Sequence, residues 1–311
     1  MNTRGPRVPL TARERRILRA LERVRSGCDV AARVASDPVE FVHRYASADD
    51  REIVALVASS MAFGNVKALR GKIGDALERL GPSPARTADD PALVARRLAG
   101  WKHRVYRASD LAGLVVGARR VQREAGSLGE ALVSRLSAHG DLRAALADWA
   151  ASIRRAGGLV AGGERRGATH ILADPTGGSA VKRLMLLLRW MARPADGVDL
   201  GMWDVPTSAL VVPMDVHLHR LGRNLGFTDR ATASWRAAEE ITRALARFDS
   251  ADPVKYDFAL CHLGMLQRCP SRRDPIRCEG CGIQEVCRHW APRDEAPRPR
   301  SERAAKRRKA K

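Results

Sequence analysis

Aromatic residues are scarce in this 311-residue chain, at 5% of all positions. Segments that alternate apolar and polar residues in the manner of a β-strand are also missing, and there is no internal repeat. Ala, Leu and Arg, which are good helix formers, are abundant instead. The sequence therefore predicts an all-α fold, and its 45% of hydrophobic residues is enough for one large domain or two packed subdomains.

Long hydrophobic runs are absent as well. No stretch of about 18 or more uncharged apolar residues occurs, so no membrane-spanning helix is expected. Residues 1–16 carry basic side chains but lack the apolar segment of a signal peptide. We therefore expect a cytoplasmic protein whose cysteines are ligands or reduced thiols rather than disulfides.

Acidic residues are outnumbered, since 35 Asp and Glu stand against 55 Lys and Arg, for a net charge of +20. Such an excess favours a polyanionic partner, namely DNA, RNA or an anionic membrane surface; an arginine-rich composition imposed by a GC-rich genome is the alternative. Residues 291–311 are predicted to be a disordered basic tail of charge +6, which leaves +14 on the rest of the chain. The tail either attracts phosphates or is a solvated terminus without a specific partner.

Helical periodicity dominates the chain between a loose N-terminus (1–10) and the tail. Thr11 and Glu14 form a capping-box pattern at the first helix. Loops are predicted at 82–90, 157–167 and 194–209. The predicted helices span 11–26, 50–63, 65–80, 91–99, 109–124, 127–137, 141–156, 179–193, 213–225, 231–248 and 253–268.

Four cysteines near the C-terminus are spaced C-x8-C-x2-C-x5-C: Cys269, Cys278, Cys281 and Cys287. Thiolates bind soft metals, and a Cys-x2-Cys pair lets two sulfurs reach one centre from a tight turn. Only one such pair is present, and this uneven arrangement suits a [4Fe–4S] cluster better than a tetrahedral zinc ion, although zinc or no metal remains an alternative. Cys28 and Cys261 lie outside the group and are interpreted as small buried apolar residues.

A single carboxylate, Asp215, follows Pro213 at the predicted start of a helix. Proline is favoured at the first position of a helix, and an acid there meets the positive end of the helix dipole. Stabilisation of the dipole is thus the simple interpretation of Asp215. His217 and His219 point to different faces of the helix, which argues against a metal-binding pair.

A glycine-bearing hairpin, Asp174 to Ser179, precedes the helix 179–193. Two helices joined by such a hairpin present successive backbone N–H groups to a phosphate. Lys182, Arg189 and Arg193 are predicted to share one stripe of this helix. Lys182 is interpreted as a phosphate contact, an amine nucleophile or a solvated surface residue.

Three segments, in chain order, make the sequence resemble the helix-hairpin-helix DNA glycosylase superfamily, the endonuclease III and 8-oxoguanine glycosylase group. They are the hairpin 174–179 with its helix, the segment 212–217 around Asp215, and the cysteine loop 269–287. The helix Ile53–Phe63 with Gly64-Asn65 is similar to the first core helix of that superfamily. The resemblance implies a helical two-subdomain glycosylase-like domain at 11–290, with a C-terminal cysteine-ligated iron–sulfur cluster loop.

A closer resemblance is to a bacterial family of unknown function related to that superfamily. The segments that carry it are Lys182-Arg183-Leu184 with Leu188-Arg189-Trp190-Met191, then 198–203, and 252–260. No reaction comes with this resemblance.

The superfamily resemblance implies a cytoplasmic, nucleoid-associated DNA repair protein that binds double-stranded DNA. Its activity would be that of a DNA glycosylase, with abasic-site lyase activity in addition if Lys182 is a nucleophile. A non-catalytic DNA-binding relative that keeps the fold and cluster, and an RNA-binding protein with structural zinc, are the alternatives. The implied catalytic residues are Asp215 and Lys182, and the implied DNA contacts are Gly177, Gly178, Ser179, Lys182, Arg189, Arg193 and Asn65.

Overall fold

The computed structural model describes residues 9–159 and 166–290. This part of the chain is mostly helical, which confirms the predicted all-α class. Most of the loose N-terminus, six residues of the glycine-rich segment and the basic tail lie outside the described residues. None of the described helices has the length and apolar character needed to cross a membrane.

The chain divides into two compact units. The middle unit comprises residues 29–213, and the split unit comprises the described residues of 1–28 and 214–311. The middle unit contains α2 (Val30–Val34), α3 (Glu40–His43), α4 (Ala48–Ser60), α5 (Val66–Leu80), α6 (Pro84–Ala88), α7 (Pro91–Arg97), β1 (Lys102–His103), β2 (Tyr106–Arg107), α8 (Ala108–Ala125), α9 (Leu128–His139), α10 (Leu142–Ala156), α11 (Arg166–Ile171) and α12 (Lys182–Ala192).

Helix α4 is the centre of the middle unit, as its nearly continuous apolar sequence predicts. Its last nine residues are all buried, and apolar side chains such as Ile53 each contribute roughly 1.5–3 kcal/mol when fully buried. The one buried acid among them, Glu52, accepts hydrogen bonds from Trp203 Nε1 (2.6 Å), Gln122 Nε2 (2.7 Å) and two backbone N–H groups at the start of α9. The helix ends at Ser60, earlier than the predicted Gly64.

The short elements that the sequence did not predict include α6 and the pair β1–β2. The predicted loop 82–90 contains α6, because Ser83 accepts from Arg86 N as an N-cap and Pro84 occupies the first turn, where its missing N–H is not needed. The antiparallel pair β1–β2, with His103 opposite Tyr106, is too short for a period-2 pattern to reveal it.

Helices α8 and α10 approach so closely that only glycine fits between them. A Cβ on Gly117 would lie 2.2 Å from the carbonyl oxygen of Ile153, and one on Gly157 would lie 1.9 Å from that of Gly113. The first glycine of the predicted glycine-rich loop therefore serves helix packing.

The split unit contains α1 (Ala12–Ser26), α13 (Val216–Leu225), α14 (Trp235–Ala246), α15 (Asp257–Leu266) and α16 (Pro275–Cys278). The predicted capping box is present: Thr11 Oγ1 accepts from Glu14 N at 3.2 Å, and Glu14 Oε2 accepts from Thr11 N at 2.7 Å. The prediction that Pro213 starts a helix is wrong, since α13 begins at Val216 and Asp215 is its N-cap.

Candidate functional sites

The hairpin before α12 exposes its two glycines without a structural need for either. Neither Gly177 nor Gly178 has a positive φ. A Cβ on Gly178 would meet no described atom within 4 Å, and one on Gly177 would make an ordinary contact of 3.7 Å with the Asp174 carbonyl. Both residues are exposed, so these two amides are open to an outside acceptor.

The carbonyl groups of the same hairpin are held from within the middle unit. Arg143 on α10 donates to the carbonyl oxygens of Pro175 (2.9 Å), Thr176 (3.1 Å) and Gly177 (2.7 Å). Asp174 Oδ1 accepts from both the N–H and the hydroxyl of Thr176, which lowers the pKa of Asp174. The hairpin is thus fixed before any ligand binds.

Helix α12 starts from a strained residue. Val181 has φ 40° and ψ 43°, the left-handed conformation that a β-branched residue rarely adopts. Such strain costs on the order of 1–3 kcal/mol and gathers at functional sites. The next residue is Lys182, which is half-buried and whose Nζ lies 3.5 Å from the Ala62 carbonyl oxygen.

Lys182 lines a cavity of about 190 Å³ inside the middle unit. Two guanidiniums, of Arg104 and Arg183, lie over the ring of Phe63 in its wall, at 5.5 and 5.4 Å from the ring centroid. No carboxylate is among the described lining residues, which are Ser60, Ala62, Phe63, His170, Ile171, Leu172, Ala173, Ser179, Val181, Lys182, Arg183 and Leu184. The cavity is therefore electropositive with largely apolar walls.

The prediction that Arg189 and Arg193 contact DNA is wrong. Both are buried, at 2% and 6% exposure, and both pair with the buried carboxylate of Asp199, Arg189 at 3.1 Å. Arg193 also pairs with Asp196 at 2.9 Å. Arg193 is the C-cap of α12, and the loop after the helix folds back and supplies the acids that both arginines bind.

Asn65 is exposed and is the N-cap of α5, where its Oδ1 accepts from Ala68 N at 3.0 Å. An N-cap contact is worth about 1 kcal/mol and explains the residue locally. Its assignment as a DNA contact stays a prediction.

Asp215 lies in the split unit, half-buried at the start of α13. Its Oδ1 accepts from the N–H groups of His217 (2.9 Å) and Leu218 (2.8 Å), as an N-cap does. Its Oδ2 accepts from the Cys261 thiol at 3.3 Å. Val216, the next residue, is 64% exposed, so the start of the helix is open to solvent.

The Cys261 thiol reaches Asp215 because α15 packs closely on α13. A Cβ on Gly264 would lie 3.1 Å from Cβ of His217, a distance that few real contacts show. Cys261 is one helical turn before Gly264 on the same face. The interpretation of Cys261 as a small buried apolar residue is corrected accordingly: it is half-buried and a hydrogen-bond donor.

The four predicted ligand cysteines come together in the split unit. Cys269, Cys278, Cys281 and Cys287 line one small cavity with Asn224, Pro270, Ile283, Gln284, His289 and Trp290. Burial, followed by the neighbouring thiols, raises the pKa of Cys269 to about 11. Burial likewise raises the pKa of Cys281 and of Cys287.

Donors surround these sulfurs. Asn224 Nδ2 donates to Cys269 Sγ at 3.4 Å, and the backbone N–H groups of Ile283 and His289 act against burial by lowering the pKa of Cys281 and of Cys287. Such bonds stabilise thiolate over thiol. Throughout the ranges 9–159 and 166–290, however, no group of three or more His, Cys, Asp or Glu side chains is arranged to hold a metal ion.

The model of the family described as "Protein of unknown function (DUF2400)" matches residues 37–266, well over half of the chain. The chain belongs to this family. No curated protein and no solved structure matches it. The DUF2400 match includes the hairpin, Lys182 and Asp215, and it ends three residues before Cys269.

Within the DUF2400 region, sequence reasoning missed a buried polar cluster beside Lys182. Tyr106, His170 and Arg183 meet there although they are distant in the chain. No periodicity or motif links them in the sequence.

Proposed function

We propose that this protein binds double-stranded DNA and excises a damaged base from it. The observation that carries the proposal is the pair Gly177–Gly178, whose amides are exposed in a loop that needs neither glycine. Successive N–H groups ahead of a helix bind phosphate well. Without Cβ atoms there, a phosphate can approach the backbone closely.

Charge supports a nucleic acid as the partner. The chain carries +20, of which +14 lies outside the tail 291–311, and Lys182 lies three residues after the end of the hairpin. Duplex affinity should fall steeply with salt, because bound phosphates release their counterions. Removing residues 291–311 should reduce that dependence without abolishing binding.

Asp215 is proposed as the carboxylate that acts on the sugar. As the N-glycosidic bond breaks, its electron pair leaves with the base, which takes up a proton, and a solvent water adds to the sugar carbon and loses a proton. A fixed carboxylate stabilises the positive charge that develops on the sugar. The open start of α13, beside exposed Val216, lets a substrate approach Asp215.

The decisive experiment is base excision on a panel of lesion-containing duplexes, with wild type beside Asp215→Asn. Asparagine keeps the shape and the N-cap role, so folding and DNA affinity should stay near wild type. Excision should fall on the order of a hundredfold or more. Asp141→Asn is the matched control, since Asp141 caps α10 in the same way. Excision by Asp215→Asn at the wild-type rate would contradict the catalytic role.

A DNA-binding protein without catalysis is the second candidate function. One observation favours it: both carboxylate oxygens of Asp215 already have partners, two N–H groups and the Cys261 thiol. DNA binding without excision on any lesion would decide for this candidate.

The four cysteines are proposed to hold a [4Fe–4S] cluster. The donor set fits, with four thiols on one apolar cavity and N–H groups directed at the sulfurs. In a cluster each thiolate binds a different iron, so three donors need not converge on one point. Such a group would supply structural stability to the C-terminal segment.

Colour and metal content test the cluster. Anaerobically purified protein should be brown, and Cys278→Ser should remove the colour, whereas Cys28→Ser should keep it because Cys28 lies outside the cavity. Colourless protein that contains stoichiometric zinc would show that the cysteines form a structural zinc site and not an iron–sulfur cluster.

A further inference from the structure

Four groups form a hydrogen-bonded cluster in the wall of the 190 Å³ cavity of the middle unit. The Tyr106 hydroxyl lies 2.9 Å from His170 Nδ1 and 3.1 Å from the Ser60 carbonyl oxygen. Arg183 Nη1 donates to the Tyr106 hydroxyl and, at 2.8 Å, to the same Ser60 carbonyl. Its Nη2 donates to the carbonyl oxygen of His170. Both terminal nitrogens of Arg183 thus donate hydrogen bonds that fix the positions of Tyr106 and His170.

The proton of Tyr106 decides the tautomer of His170. The hydroxyl oxygen accepts from Arg183, and its single proton goes to either Ser60 or His170. Ser60 already receives an N–H from Arg183, and His170 Nδ1 is the closer acceptor. A cationic donor also polarises the hydroxyl and makes it a stronger donor in its turn. These contacts favour donation from Tyr106 to Nδ1 over donation to Ser60, and donation to Nδ1 places the ring proton of neutral His170 on Nε2.

Nε2 is the ring nitrogen of His170 that takes no part in this hydrogen-bonded cluster. It points away from Nδ1, and it has no hydrogen-bond partner among the described residues. The ring of His170 lines the cavity together with Lys182. Burial, then Arg183 and Arg166, lower the pKa of His170 to about 4, so the ring is neutral at pH 7. The cavity thus presents an N–H donor and an ammonium but, among its described lining residues, no carboxylate that would accept from an amino group.

The volume of the cavity limits the size of the ligand that it can hold. A cavity of about 150 Å³ lined by apolar side chains accepts a benzene-sized ring. Ala62, Phe63, Ile171, Leu172 and Leu184 supply comparable apolar walls around 190 Å³ here. One heterocycle of the size of a nucleobase fits, and a whole nucleotide does not.

We propose that His170 is a specificity-determining residue, which donates from Nε2–H to a carbonyl oxygen of a single heterocyclic base held in this cavity beside Lys182. The cavity would accordingly favour keto bases over their amino counterparts. The inference deepens the proposed function, since it rests on a base being what the protein takes up.

Two measurements on the full-length protein test this inference without any catalysis. Long-range ¹H–¹⁵N spectra report the tautomer of each histidine, and His170→Gln identifies the His170 signals among the eight histidines. We expect the Nε2–H form at pH 7. Titration with the free bases hypoxanthine and adenine, which differ in a carbonyl against an amino group, should shift these signals and show about tenfold tighter binding of hypoxanthine, as one net hydrogen bond provides.

Variants separate recognition from folding. His170→Ala should abolish the preference for hypoxanthine, and His170→Gln, which keeps a side-chain N–H donor, should retain part of it. The Nδ1–H tautomer, equal affinity for the two bases, or binding of neither would overturn the inference. Base binding without excision of any lesion would instead contradict the proposed glycosylase activity and would still support the base-binding site.

Discussion

The two ends of α12 carry cations of the same charge in opposite circumstances. At the N-terminal end, Lys182 follows a strained valine, borders a cavity and lies after two open amides. At the C-terminal end, Arg189 and Arg193 are buried against Asp199. The positive charge at the N-terminal end is available to a ligand, and the positive charge at the C-terminal end is paired with a buried carboxylate. Net charge alone therefore overstates what a basic helix offers to DNA.

The largest expected effect comes from removing the carboxylate at the C-terminal end. Asp199→Asn removes the buried charge that pairs with both Arg189 and Arg193, which should cost about 3–5 kcal/mol of unfolding free energy. Urea unfolding measures this cost. Asp196→Asn is the matched control, because Asp196 is 41% exposed and its pair with Arg193 should be worth below about 1 kcal/mol. Similar small losses of unfolding free energy in both variants would show that the pairing of Arg189 and Arg193 with Asp199 does not stabilise the C-terminal end of α12.

Local signals made part of this architecture predictable from sequence. The capping box of α1 depends on residues three apart, and the apolar run of α4 by itself specifies a buried helix. Helix α6 was not predicted because a proline next to short polar residues is equally typical of loops.

Long-range partners were not predictable from sequence. Lys182, Arg189 and Arg193 were predicted to share one stripe, but which of them meets solvent depends on where the following loop returns with Asp199. Tyr106 and His170 are 64 residues apart, and no pattern joins them. The contact of Cys261 with Asp215 likewise exists only because Gly264 lets two helices approach.

The next effect concerns the available cation. Lys182→Ala should weaken duplex binding and reduce the slope of log affinity against log salt by about one, as loss of one phosphate contact does. Lys67→Ala, an exposed lysine of α5, is the control and should change the slope less. If affinity is kept while borohydride trapping to abasic DNA disappears, Lys182 is an amine nucleophile instead.

Gly178→Ala tests the open amides and should have a moderate effect. The added Cβ meets no described atom within 4 Å, so the melting temperature should stay unchanged. It would obstruct a phosphate at the backbone, and duplex affinity should fall about fivefold to tenfold, as for one lost hydrogen bond. Gly71→Ala is the matched control, since that helical glycine also has open space around it. Equal DNA affinity of both variants would remove the hairpin from the interface.

The smallest expected effect is a pH dependence of stability that arises at the N-terminal end of α12. Burial, then Arg183 and Arg166, lower the pKa of His170 from 6.5 to about 4. The unfolded chain therefore binds this proton near pH 6.5 and the folded chain only near pH 4, so the stabilising contribution is complete above pH 6.5 and is lost as the pH falls toward 4. His170→Gln lacks this titration and should reduce the pH dependence of the urea midpoint across this window, whereas Thr169→Ala, an exposed neighbour on α11, should keep the wild-type slope. A His170→Gln profile parallel to wild type would show that His170 has the same pKa in the folded and the unfolded state. That result would contradict a neutral His170 ring held at the cavity by a lowered pKa.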